Sequence, residues 1–530
     1  MVGALVAALV TPAFAAITSA RCAPQAENTL RWTCEVEVSE PTALRIGVRD
    51  AAGLFYWSWS EWAQVDGSWQ HTLYNLPSQT IVDWRVEDAS GGAVQGSFVS
   101  VLPRGLGGVR LETELDRAYW GSRYILFDTS GCDDHHYLVV WDVLRRAVTW
   151  YQDVDRALGT TPSSRVQVEG FTLLDDDVVA VIVDTGELLA WRFDGALVER
   201  LEYAACGAGV DAIGPCPHHD VARGPDGDLW VLTTSVGPST AGTVWEDTCP
   251  TSTVLDHAVE RYAADGALLD RDTVLGELGY DPVADPGPEP LRNICEQRGN
   301  LVGENVDFTH PNAIAVDESA DGTTLWLSMS RFNEVVAYDP DADEVLWTLS
   351  GVTRPAAPAG DFDIVLGSGI GGDPSVWADP DDELTFGFQH DVRPWEGYLQ
   401  VFDNHPTNLD DPSAISRVLR MQLDPGSGGA RGVATIVGEW LLPADYGCTT
   451  RGSARTIEGT DGAAVLALCH TPPAIVMLDQ SDGRRAPPAY TVRLDQQGSC
   501  PGEAQSFRGW YRAIPLGALG DAPNLAIGLQ

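Results

Sequence analysis

Three histidines occupy equivalent places in this chain: His219 in PHHDVARGPDGDLWVL, His310 in THPNAIAVDESADGTTLWLSMSR and His390 in GFQHDVRPWEGYLQVFDNH. Each leads a short alternating run, a Gly-containing turn follows (DG, DG, EG), and a second run begins around a Leu. Imidazoles act as nucleophiles, as proton carriers near neutral pH and as metal ligands. Arg331, which closes the second strand of the middle copy, adds a planar fork of donors. Three histidines and a water would also make a catalytic zinc site, but a guanidinium in the same poorly solvated cluster repels a dication. A ring of imidazoles with one Arg suits a tetrahedral oxyanion, so sulfate or phosphate esters are the expected ligand class and no metal is expected. The chain has no GxxxxGK[ST] phosphate loop and no Ser or Cys in a hydrolase elbow.

The elements that must position these residues are strands. From residue 109 onward helical periodicity is almost absent, and strand signals come in groups separated by DG, GG, DP and PG turns. Six groups can be drawn: YILFDTSG with HHYLVVWDVLRRAVTWYQ; VEGFTLL through ERLE; then 219 to 275, 310 to 350, 390 to 440 and 453 to 495. Self-similar groups of four short strands predict an all-β fold, a six-bladed β-propeller, with FRGWYRAIPL at 507 to 516 completing a blade. The first strand of each blade lines the central channel, which converts separations of 91 and 80 residues into neighbours and brings His219, His310 and His390 to one rim. Antiparallel pairing returns the end of the second strand to that rim, so Arg331, Asn404, His405 and His470 are expected there too. Asp220 and Asp391 follow their histidines, but successive strand side chains face opposite ways, which favours a structural role. His135, His136 and His257 fall outside the register and are read as surface residues.

Ahead of the propeller, ALRIGVRD, LFYWSWSEW, SWQHTLYNL, TIVDWRVED and AVQGSFVSV predict a small β-sandwich. VLPRGLGG links it onward, giving domains at 16–103 and 104–530. Ser58 and His71 read as solvent-facing strand residues, and the module as a packing or dimerisation domain, which leaves a homodimer open. Residues 1–15 end in the small-residue pattern Ala13, Phe14, Ala15 and read as a signal peptide cleaved before Ala16. No membrane span is evident. Ten cysteines without a CxxC favour disulfides in an oxidising, extracytoplasmic compartment, periplasmic or secreted. Cys206 with Cys216, and Cys448 with Cys469, are the expected pairs. The net charge of −43, from 76 acidic against 33 basic residues, argues against nucleic acid as a partner.

The motifs together resemble those of the bacterial arylsulfate sulfotransferases: HHD at 218 to 220, HPNAI at 310 to 314, LSMSRFNEVVAYD at 327 to 339 with VLWTLSG after it, and FGFQHDVR at 386 to 393 with FDN at 402 to 404. The likeness covers roughly residues 104 to 515. This chain differs from the family pattern at Met329 and Phe332 and in the insertion 352 to 386. The resemblance implies that His390 is a nucleophile that becomes transiently sulfated, with His219, His310, Asn312 and Arg331 around the sulfuryl group. Asn404 and Phe388 are placed with the substrate-binding residues; Phe388, Phe402 and Phe332 could sandwich a phenol ring, with blade core as their other reading. His219 would then serve as general acid and base. The implied partners are a small aryl sulfate donor and a phenol acceptor, with no nucleotide donor, no metal and no other cofactor. Two other readings stay open from sequence: a propeller that binds without chemistry, and a metal-dependent ester hydrolase using the same histidines.

Overall fold

The computed structural model describes residues 16–26, 28–50, 57–103, 106, 111–113, 123–130, 135–159, 168–203, 206, 215–241, 243, 253–283, 295–296, 305–319, 322–351, 361–367, 386–404, 416–426, 430–443, 448, 451–457, 460, 464–469, 474–479, 490–494 and 512–516. Strands dominate them. One short helix, Val154–Leu158, and one 3-10 turn, Ser330–Phe332, are the helical elements among the described residues. The proposed signal peptide, residues 1–15, and most of the 352–386 insertion lie outside them.

Six antiparallel sheets follow one another along the chain as the blades of a propeller. Blade one runs from Tyr124–Ser130 out to Ala147–Asp153, and blade two from Val168–Asp175 to Leu197–Glu202. Blade three runs from Cys216–Arg223 to Leu268–Thr273, and blade four from Pro311–Ser319 to Glu344–Ser350. Blade five runs from His390–Trp395 to Gly432–Leu441, with Phe362–Leu366 added in parallel at its outer edge, and blade six from Ser453–Thr456 to Tyr490–Leu494. The ring is clasped twice. Ala513–Leu516 becomes the innermost strand of blade one by pairing with Tyr124–Phe127, and Leu111–Thr113 pairs with the outermost strand of blade six. The expectation that the last apolar piece completes a blade therefore holds, while the second clasp has no counterpart in the sequence reading.

The alternation of side chains explains why the ring closes. In blade one, Tyr124 and Leu126 face blade two and pack with Val168, Phe171 and Val181, whereas Ile125 and Phe127 face blade six and pack with Leu466, Leu468 and Ile475. Similar apolar layers lie between blades two and three, three and four, four and five, and five and six. Each sheet is buried on both faces, which accounts for runs such as Val178–Val183, apolar and buried at every position. Truncating a buried Leu or Ile in such a layer costs about 2–5 kcal/mol.

Two smaller sheets share a separate apolar core ahead of the propeller and form the expected β-sandwich. It docks on blade one through the Thr29 amide donating to Tyr151 Oη at 2.8 Å, Arg31 Nη2 to Gln152 Oε1 at 2.9 Å and Asn75 Nδ2 to Tyr124 Oη at 3.0 Å. Two sequence expectations fail here. Ser58 is buried rather than solvent-facing, and His71 is half-buried with its ring pKa lowered by desolvation. Period-two patterning locates a strand but does not say which of its faces a second sheet covers.

Candidate active site

In a blade the strand side chains point toward neighbouring blades, so a regular inner strand offers the channel mainly its backbone edge. The three inner strands that carry the histidines are not regular. Their register slips between Pro217 and Val221, between Pro311 and Ala313, and between His390 and Arg393. His219 (φ 58°), His310 (φ 49°) and Asp391 (φ 54°) sit in the left-handed region, each costing about 1–2 kcal/mol of backbone strain. Such bulges re-aim side chains, and here they turn a blade-facing residue toward the channel. Gly170 on the neighbouring inner strand permits it: a Cβ at that position would lie 1.7 Å from the His219 carbonyl oxygen.

His390 is buried, and its Nδ1 lies 2.8 Å from Asn404 Oδ1 and 2.9 Å from the Phe388 carbonyl oxygen. Two acceptors at Nδ1 fix the proton there, leaving Nε2 with a lone pair. Asn404 cannot turn its amide around, because Nδ2 donates to the Cys448 and Arg451 carbonyls at 2.7 Å each. Burial, which opposes the charged form, pushes the His390 pKa down to about 4 against the bonds from Asn404 and Phe388. The imidazole is neutral at physiological pH.

His219 Nε2 lies 3.0 Å from His310 Nε2, and His310 Nδ1 lies 2.6 Å from Asp307 Oδ2. The carboxylate holds the His310 ring at Nδ1, which turns its Nε2 to His219. Asp307 Oδ2 also takes Arg331 Nη2 at 3.5 Å, and its Oδ1 faces His257 Nε2 at 3.6 Å. Asp307 thus joins three cationic or potentially cationic groups. Sequence reasoning missed it, although its place three residues before His310 was a signal. The His218 ring packs on His219 at 3.7 Å between centroids and also reaches His257 and His310.

Several expected residues are placed differently. His257, read as a surface residue, is fully buried on the strand Thr253–Tyr262 with Nδ1 3.2 Å from Thr309 Oγ1. His136 is also buried, its backbone amide held by Asp155, and His135 pairs with Asp153 at 3.0 Å. Asn312 and Asn404, expected to hold substrate, are buried, and the amide nitrogen of each donates to backbone carbonyls. Asn312 Nδ2 donates to the Gln389 carbonyl at 2.8 Å and so fixes the backbone that carries His390. Phe332 and Phe402 belong to interblade cores, whereas Phe388 is half-buried beside His390. His405 and His470 lie outside the described residues.

Asp220 and Asp391 do not orient the rings of the histidines they follow. Asp220 accepts from Arg393 Nη2 at 2.8 Å, from the Ile314 amide at 3.0 Å and from Arg512 Nη1. Asp391 is bound by Arg455 Nη1, by Arg393 Nε at 3.2 Å and by the Ala454 amide at 2.9 Å, with Arg512 Nε at 3.5 Å. Burial works to raise the Asp391 pKa, but Arg455, Arg393 and Arg512 overcome it and hold the carboxyl well below the usual range. This buried belt ties blades one, three, five and six together just behind the histidines. Among the described residues no group of three or more His, Cys, Asp or Glu side chains is arranged to hold a metal ion.

Fold and site define a six-bladed propeller whose inner strands and adjoining loops carry the linked His219, His310, Asp307 and Arg331 and, on blade five, His390. The family model described as Arylsulfotransferase (ASST) matches residues 213–435, which bears out the resemblance drawn from the motifs over that stretch. No curated protein matches the chain. Similar solved structures include the hydrazine synthase of Kuenenia stuttgartiensis, at 12% identity over 71% of this chain and 82% of that one with a TM-score of 0.31. BamB from Moraxella catarrhalis matches at 10% identity over 89% of this chain and 100% of that one with a TM-score of 0.28. Scores this low carry no argument, and the blade count rests on the sheet topology above.

Cys206 with Cys216 and Cys448 with Cys469 stand at disulfide distance as expected, with Cα separations of 5.1 and 5.4 Å. Cys22 pairs with Cys34 across adjacent strands. No helix among the described residues is long and apolar enough to cross a membrane.

Proposed function

We propose that this chain is an exported arylsulfate sulfotransferase that moves a sulfuryl group from a phenolic sulfate ester to a phenol through a sulfated His390. The observation that carries the reading is the state of His390: a neutral imidazole with Nδ1–H tied to Asn404 and Phe388, and with the Nε2 lone pair left for attack. In the first step Nε2 attacks sulfur, an N–S bond forms, and the S–O bond to the aryl group breaks with the electron pair leaving on phenolate oxygen. Arg331, held by Asp307, offers donors to the non-bridging oxygens as charge develops. His219 acts from its imidazolium form: one N–H is held by His310 on Asp307, and the other proton goes to the departing oxygen, leaving His219 neutral to take a proton in the next step. In the second step the acceptor phenol loses its proton to His219, its oxygen attacks sulfur and the N–S bond breaks, restoring neutral His390.

Phe388, half-buried two residues before His390, would lie against the ring of donor or acceptor. The three cysteine pairs and the leader-like first 15 residues support export to an oxidising compartment. Incubation with a chromogenic aryl sulfate, with and without added phenol, tests the reading. Phenol-dependent turnover with a sulfuryl adduct on the His390 peptide is expected. An active enzyme in which that peptide is never modified, or a His390→Asn variant turning over at the original rate, excludes it.

A further inference from the structure

The channel has a second end. A cavity of about 300 Å³ opens there, and every blade contributes to its wall: Ile514, Leu173, Ala222, Val316, Pro394 and Arg455. These residues follow the histidine rim along the same inner strands, Ala222 three positions after His219 and Pro394 four after His390. At about 3.3 Å per residue the cavity lies on the order of 10 Å from the histidines. The volume is at the lower end of the range for small-molecule sites.

We infer that this far mouth binds a small inorganic oxyanion, sulfate or phosphate, on Arg455 and Arg393. The reason is geometry. Arg455 spends Nη1 on Asp391 and the Ala454 carbonyl, while its Nε and Nη2 have no hydrogen-bond partner among the described residues. Its side chain lines the cavity and keeps 15% of its exposure. Asp391 cannot swing to satisfy that free edge, since its oxygens are also held by the Ala454 amide and Arg393. Arg223 on the opposite wall is already paired with Glu199 and Asp175. Burial, which lowers the Arg455 pKa to about 10, leaves the group charged at neutral pH and poorly hydrated, a state that favours binding of an oxyanion along its fork.

The inference does not depend on the chemistry proposed at the histidine end. Crystals soaked in selenate locate the site directly, because selenium scatters anomalously. A signal between Arg393 and Arg455 is expected, and its absence overturns the assignment. Calorimetric titration of the full chain with inorganic sulfate and, separately, phosphate at fixed ionic strength gives the second readout. Ala222→Glu, which fills the cavity with a carboxylate and leaves the arginine belt intact, should weaken far-mouth binding at least tenfold, as should Arg455→Gln. Arg331→Ala should leave it in place while removing anion binding at the other end. Binding that is unchanged by Ala222→Glu, or that disappears entirely in Arg331→Ala, excludes a far-mouth site whatever the fate of the sulfotransferase reading.

Discussion

Asn404 Oδ1 accepts the Nδ1 proton of His390 at 2.8 Å, while both hydrogens of the same amide are committed to the Cys448 and Arg451 carbonyls. The side chain therefore acts on the tautomer of His390, the proposed nucleophile, and has no amide hydrogen left for substrate. Asn404→Ala should lower the rate of donor cleavage by roughly tenfold to a hundredfold, the range seen when a partner behind a functional imidazole is lost. KM for the donor should change little. A variant that raises KM and spares kcat would return Asn404 to the substrate.

The pH dependence follows from His390. Its folded pKa of about 4 lies below the ordinary 6.5, so between those values the unfolded chain takes a proton that the folded chain refuses. This group's contribution to stability is therefore full above pH 6.5, declines as the pH falls, and levels off below about 4. For the same reason the phenolate burst from 4-nitrophenyl sulfate, whose leaving group needs little help from an acid, should hold its rate through pH 6.5 and fall near pH 4. Rapid-mixing measurements in the absence of acceptor check this. An acid limb centred at 6.5 would place the titrating nucleophile elsewhere.

Asp307 holds His310 and Arg331 at once. Asp307→Asn should frustrate the His310 tautomer and loosen the guanidinium, reducing kcat/KM by at least tenfold and up to roughly 10⁴-fold, the cost of the corresponding change behind a triad histidine. The loss should be largest for poorly acidic phenols, which depend most on proton transfer through His219. Leaving-group series on wild type and variant test it, and parallel lines would assign Asp307 a purely structural role.

The belt behind the site makes a prediction about stability. Asp391→Asn leaves Arg393, Arg455 and Arg512 buried with one carboxylate among them, and breaking a buried ionic cluster in this way costs about 3–5 kcal/mol. Reversible denaturant unfolding should show that loss. A change below about 1 kcal/mol would mean that water reaches the belt freely.

Gly170 should not tolerate a side chain. A Cβ would stand 1.7 Å from the His219 carbonyl oxygen, so Gly170→Ala should displace the bulge that aims His219 and reduce activity more than its effect on melting temperature alone explains. Full activity in a folded Gly170→Ala variant would show that the bulge adapts.

The sequence by itself determined the blades and the register of the histidines, because a repeated two-residue period and recurring Gly turns are local properties. His219, His310 and His390 recur at one place in that repeat, and Arg331 closes a strand that returns to the same rim. Strand patterning could not show that these histidines sit on bulges, since the left-handed backbone at His219 and His310 is imposed by neighbouring strands such as the one carrying Gly170. Nor could it pair Asp220 with Arg512, 292 residues away, or Arg393 with Asp220, 173 residues away. Those partners meet only because the ring closes through Ala513–Leu516 and Leu111–Thr113. Tertiary structure therefore decided which polar groups share the channel: burial there requires that each charge find a partner, and ring closure brings those partners in from distant blades.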